Sequence, residues 1–237
     1  MERILTVVSL EFKRKKIIKN ILISISVLIP ILFLCFIIDK SIDISNIVLG
    51  TVPYMILGNG CFCLTQEFTN KTDKIIFTGV FKRYEIMISK LFNSFITSLI
   101  YFIFFQIALI LYNLFINQDI SQLISFTTVI NNLYVFFIYT FTLSSFMLLV
   151  SVVTSNSIFT GIITYVFYFD LIITLLSNVV ESSSNKMVTI LIEKLPFYIA
   201  VTGFNNLNYN FNQSIVMIVS GCIFFVIACA IINKKNI

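Results

Sequence analysis

The chain has 237 residues, 58% hydrophobic and 11% charged, with 26 Phe, no Trp and no His, and its mean hydropathy is +1.00. Soluble domains coat themselves with about a quarter charged residues, so this composition excludes an ordinary water-facing fold and describes an all-α integral membrane protein. Without an imidazole the chain holds no Ser-His-Asp triad, no His-ligated zinc or haem and no HExxH metalloprotease, and no catalytic or metal site is expected.

The first sixteen residues, MERILTVVSLEFKRKK, place Ile4, Leu5, Val8 and Phe12 at helical spacing before a basic end. That pattern predicts a short helix lying flat in the headgroup layer, or, more plainly, a basic topogenic leader. The apolar run that follows is too long for a signal peptide and lacks a small-residue cleavage site, so it reads as a retained span.

A spanning helix needs about 20 mostly apolar residues, because roughly 30 Å of hydrocarbon is crossed at 1.5 Å per residue with every peptide group bonded internally. Six segments qualify: Ile21 to Ile38, Ile44 to Leu64, Leu91 to Ile116, Val129 to Val153, Ser157 to Val179 and Ser214 to Ile232. A further apolar stretch, Met187 to Phe204, is interrupted by Glu193, Lys194 and Pro196. Its halves are each too short to cross, so a re-entrant or interfacial hairpin is expected on the outer side.

With both termini cytoplasmic, thirteen of the sixteen basic residues lie inside and only Lys40, Lys186 and Lys194 outside. That is the asymmetry of the positive-inside rule. The net charge of +5 then follows from topology and contact with anionic lipid, and nucleic acid need not be invoked.

Outer loops are short. No G-x-x-x-x-G-K-[ST] is present and only seven glycines exist, so the chain cannot cradle a nucleotide phosphate by itself. One sizeable cytoplasmic loop remains, Glu67 to Lys90, in which Ile75, Ile76, Phe77, Val80, Phe81 and Tyr84 stand among charges and turn near Gly79. A water-facing loop with such an apolar stripe must bury it, against the bilayer surface or against a partner protein.

Inside the membrane, Asp170 in YVFYFDLIITLL is the single acid within a span. An ionised carboxylate there costs at least about 2.5 to 3.5 kcal/mol, so it should be partnered, protonated or facing water. It either lines a substrate path or pairs structurally with Tyr165, Tyr168 or Lys194. Pro30 and Pro53 are expected to weaken or kink their helices. Gly58, Gly60, Cys61 and Cys63 form a small-residue stretch suited to close helix approach. Two thiols at i and i+2 point to different faces, which favours packing over metal binding at that pair.

At the cytoplasmic loop the sequence resembles the ABC-2 type permease family, the membrane subunits of bacterial ABC exporters. The resemblance is carried by an acid, a Thr, a short amphipathic helix, a Gly, an Arg and a Lys, here Glu67, Thr72, Gly79, Arg83 and Lys90. It extends to the layout of the whole chain and is nearest to small permeases of bacteriocin or lantibiotic immunity, peptide-toxin export and drug efflux.

The resemblance implies a bacterial cytoplasmic-membrane location and a non-catalytic subunit that uses ATP and Mg only through a separate ATP-binding subunit, two copies per complex. It implies that the loop, with Ile75, Ile76 and Phe77 in its stripe, is a coupling helix docking on that subunit, and that the N-terminal helix is an interfacial elbow. It further implies dimerisation with an identical or similar permease and an amphipathic peptide or hydrophobic antibiotic as cargo. A stand-alone membrane protein that binds a toxin or sensor without transport is the competing expectation.

Overall fold

The computed structural model describes residues 2–13, 18–26, 29–30, 44–69, 81–116, 125–182 and 186–235. Every element formed by those residues is helical: α1 (Glu2–Lys13), α2 (residues 18–26), α3 (Ile44–Thr69), α4 (Arg83–Ile116), α5 (Phe126–Thr154), α6 (Ser157–Tyr168), α7 (Asp170–Ser182), α8 (Lys186–Glu193), α9 (Pro196–Asn205) and α10 (Phe211–Lys234).

Among the described residues four helical stretches are long and apolar enough to cross a membrane: α4, α5, α6 with α7, and α10; the bent pair α8 and α9 makes a fifth if it is one span. The chain is therefore a multi-pass membrane protein. The expected first span lies largely outside the described residues. Over the expected second span stands α3, a helix of 26 residues that runs on through Pro53. The interrupted stretch before the last span is broken, as its Glu193, Lys194 and Pro196 foretold, with α8 and α9 meeting at 70°.

The bundle is built around α5, which packs against α3, α4, α6, α9 and α10. Of its most apolar stretch 83% is buried, against 22% for α10 and 39% for α4. At its centre Phe146 meets Phe167 and Tyr168 of α6, Phe197 of α9 and Phe224 of α10, with ring centroids 5.3 to 5.6 Å apart. Tilted and edge-on aromatic pairs at this separation add about 0.5–1.5 kcal/mol each beyond area burial. Dispersion and such contacts must hold the bundle, since lipid is as apolar as the core and supplies little hydrophobic drive between helices.

Along α4 the logic of a soluble helix is inverted. Phe92, Ile96, Leu99, Ile103, Ile107 and Leu111 form its exposed stripe, while Ser89, Lys90, Asn93, Thr97 and Ser98 are buried. Exposed apolar side chains face lipid at no cost, and polar ones turn inward where partners exist. Ser98 Oγ and Thr140 Oγ1 lie 2.6 Å apart and join α4 to α5. The Tyr101 hydroxyl is bonded to Ser24 Oγ at 2.9 Å and to the Asn59 amide, tying α2, α3 and α4 together.

Close approaches explain two glycines. A Cβ on Gly60 would lie 2.5 Å from Met147 Cε, so the expected small-residue contact is real and is made between α3 and α5. At Gly58, by contrast, nothing stands within 4 Å. A Cβ on Gly203 would lie 2.2 Å from the Tyr209 ring, whose hydroxyl donates to the Ala200 carbonyl at 2.7 Å. Burial holds the Tyr209 phenol well above its ordinary pKa, so it stays a neutral donor.

α1 packs along α4, with Val7 and Val8 buried and Leu5 60% exposed. Its apolar pattern measures a preference for a non-aqueous surface, which a neighbouring helix and lipid both offer. Both ends of the segment Glu67 to Lys90 are helical. α3 runs to Thr69, and α4 begins at Arg83 because Glu85 reaches back to cap the Lys82 N–H at 2.9 Å.

Candidate functional site

A cavity of about 350 Å³ opens between α3, α5, α7 and α9. That size falls within the roughly 300–1,000 Å³ of small-molecule sites. Its walls carry five aromatic rings: Tyr54 on α3, Tyr139 on α5, Tyr168 at the end of α6, Phe169 at the junction of α6 and α7, and Phe204 on α9. Tyr139 and Phe204 lie 4.3 Å apart between centroids, and Tyr54 and Phe169 4.6 Å. Tyr165 stacks on Phe169 from behind at 5.6 Å and 9°. Three residues of α7, Ile173, Thr174 and Ser177, complete the wall, and Asn205 adds an amide at the end of α9.

Beside this cavity the fifth expected span breaks. α6 ends at Tyr168, Phe169 takes φ −127° and ψ −145°, and α7 starts at Asp170. The Phe169 N–H still bonds the Tyr165 carbonyl at 3.0 Å. The two helices together still form one stretch long and apolar enough to cross a membrane, as expected of Ser157 to Val179, and Asp170 is the first residue of its second part. The sequence hides the break because YVFYFDLIITLL has neither Gly nor Pro; the only hint is the acid itself, a residue type favoured at helix starts.

Helical register adds the next point. Residues at i, i+3, i+4 and i+7 share a face, and Asp170 stands in that relation to Ile173, Thr174 and Ser177, all three on the cavity wall. No Lys or Arg is among the described lining residues. Tyr168 also contributes to the wall and is fully buried; its hydroxyl faces Thr142, whose own hydrogen is directed to the carbonyls of Ile138 and Tyr139 at 3.2 and 3.0 Å. No hydrogen bond of ordinary geometry reaches the Tyr168 hydroxyl among the described residues.

The residues singled out between the second and third expected spans lie elsewhere. Thr72, Ile75, Ile76, Phe77 and Gly79 fall outside the described residues, and Glu67 is in the last turn of α3. Arg83 is well placed: its Nη1 donates to the carbonyls of Ile232, Asn233 and Lys235 at 2.6, 3.1 and 2.9 Å. A guanidinium there satisfies orphan carbonyls at the end of α10 and meets the negative end of its dipole. Lys90 is 2% exposed and sits two turns further along α4, inside the polar seam.

Sequence reasoning missed Lys235 altogether. Its Nζ donates to the Val152 carbonyl at 2.8 Å and to Ser155 Oγ, at the left-handed turn (Ser155 φ 53°) between α5 and α6. Arg83 and Lys235 together stitch α4, α10, α5 and α6 at one end of the bundle. Along α5 that end is separated from the cavity by thirteen residue steps, from Tyr139 to Val152, about 20 Å of helix.

Among the described residues no group of three or more Cys, Asp or Glu could hold a metal ion. The cavity wall offers hydroxyls, one amide and aromatic faces, groups that bind rather than react. No protein-family model matches the sequence and no curated protein matches it either.

Proposed function

We propose that this chain is the permease subunit of an ATP-driven exporter in a bacterial cytoplasmic membrane. It has six spans and cytoplasmic termini, pairs with an identical or similar permease, and is driven by two copies of a separate ATP-binding subunit that carry the ATP and Mg. Amphipathic peptides or hydrophobic antibiotics are its cargo. The segment from Glu67 to Lys90 is its coupling element, with Thr72, Ile75, Ile76, Phe77 and Gly79 in the docking stripe.

The observation that supports this reading is the Arg83 tie. Arg83 stands where the loop re-enters the bundle, and it holds the carboxyl end of the last helix. Lys235 passes the connection on to the turn between α5 and α6. A force applied to the loop is therefore delivered to four helices at once, which is what an energy-coupling element requires. Isolated helices with unlinked ends would absorb the same force by local bending.

A tagged chain extracted gently from native membranes should bring with it a Walker-motif ATPase at one copy per permease, measured by mass spectrometry. Phe77→Asp should release that ATPase while leaving the spans folded. Recovery of the chain alone, or with only a toxin or sensor, would replace the exporter by the stand-alone binding protein, a reading that a cavity formed within one chain also accommodates.

A further inference from the structure

We propose that the cavity between α3, α5, α7 and α9 is a binding site for an aromatic alcohol, a ring compound with a hydroxyl at one end. The inference goes beyond the exporter reading and holds whether the ligand is exported or only bound. It rests on how rings and polar groups are divided between the floor of the cavity and its mouth.

The floor is aromatic. Tyr139, Tyr168, Phe169 and Phe204 line the cavity and are themselves buried. A second layer of rings stands against them: Phe136 lies 5.0 Å from Phe204, Phe197 lies 5.0 Å from Tyr168, and Tyr165 is stacked on Phe169 at 5.6 Å, centroid to centroid. Rings held in this way keep their positions without a guest, so little ordering cost remains for binding. The enclosed volume, about 350 Å³, suits a compact molecule of two or three rings. Burial alone favours any apolar guest, whereas the preference of ring for ring in tilted and offset pairs favours an aromatic one.

The mouth is polar. Thr174 of α7 and Asn205 at the end of α9 line the cavity and are exposed, and Ser177 stands next to Thr174 on the same helix face. Ser177 Oγ gives its hydrogen to the Thr174 carbonyl at 3.0 Å, which leaves that oxygen as an acceptor. The Asn205 amide both donates and accepts. A ligand hydroxyl, itself donor and acceptor, is matched by such a rim. A guest that enters ring first therefore meets rings at the floor and leaves its hydroxyl among hydroxyls and an amide. A lipid acyl chain would fill the same space and use neither feature.

The full-length protein in detergent micelles is titrated with 4-phenylphenol by equilibrium dialysis, with empty micelles as the reference. Saturable binding at one per chain is expected. 4-Cyclohexylcyclohexanol keeps the carbon skeleton and the hydroxyl without an aromatic ring; at equal concentration in the micelle phase it should compete at least about fivefold more weakly. 4-Methylbiphenyl keeps the rings and loses the hydroxyl, and it should compete at least about threefold more weakly. Thr174→Trp, which fills the mouth, should abolish binding. If that variant fails to fold, Gly50→Leu obstructs the cavity from α3, where a Cβ meets no atom within 4 Å. A competitor stronger than its stated limit, non-saturable uptake like that of empty micelles, or binding kept by the folded blocking variant would each overturn the proposal. Failure to recover an ATPase would bear on the exporter reading and leave this result untouched.

Discussion

The two ends of the bundle are built on opposite principles. At the end near Arg83, charged side chains close the open carbonyls of α10 and α5, and Glu85 caps the start of α4. At the other end a helix is broken beside a cavity, and rings stand around space where side chains could have packed. A stitched end transmits displacement as a body, whereas an end with a void and a broken helix can repack around a guest. Stability and adaptability are thus divided along the length of the same helices.

Breaking the stitched end should have the largest effect. Arg83→Ala removes three charge-assisted contacts and leaves carbonyls of α10 without a partner, which should destabilise the fold by about 3 kcal/mol. The loss would be read as a lower thermal midpoint in detergent, with faster amide exchange confined to the end of α10 and the turn after α5. An unchanged midpoint would show that the ends are joined by something other than this guanidinium.

Next in size is Gly203→Ala. A helical Gly to Ala change ordinarily gains about 1 kcal/mol. Here the new methyl collides with the Tyr209 ring, which is buried and held by its bond to Ala200, so a net loss of about 2 kcal/mol is expected. A midpoint raised by the substitution would mean that the α9 to α10 connection yields easily and belongs with the adaptable end.

The smallest effect sharpens the contrast. Ser177 is on the cavity wall and, among the described residues, its hydroxyl bonds only back to the Thr174 carbonyl at 3.0 Å. Ser177→Ala should therefore change stability by less than about 0.5 kcal/mol. A loss comparable to that of Arg83→Ala would show that the cavity wall is as tightly built as the opposite end.

Legibility in the sequence follows the same division. The spanning stretches were readable because hydropathy over about 20 residues reports a transfer free energy that each segment pays largely alone. The break between α8 and α9 was readable too, since Glu193, Lys194 and Pro196 each oppose a continuous buried helix. Asp170 was recognisable as unusual, but its place at a helix start was not, because Phe169 has an ordinary side chain for a span and its backbone is turned by its surroundings. The partners of Arg83 lie some 150 positions away along the chain; as backbone carbonyls they leave no mark in residue type.

What the sequence determined by itself is the solvent each segment prefers: a membrane class, the apolar stretches that cross or enter it, and the charge asymmetry that suggests their orientation. Tertiary structure decided which helices touch, that α5 is the centre, that α1 leans on α4, and that Tyr54, Tyr139, Phe169 and Phe204 meet around one cavity. The reason is physical. Partition between water and lipid is nearly local and additive along the chain, whereas helix pairing in lipid depends on shape, close approach and a few polar bonds between residues far apart in order.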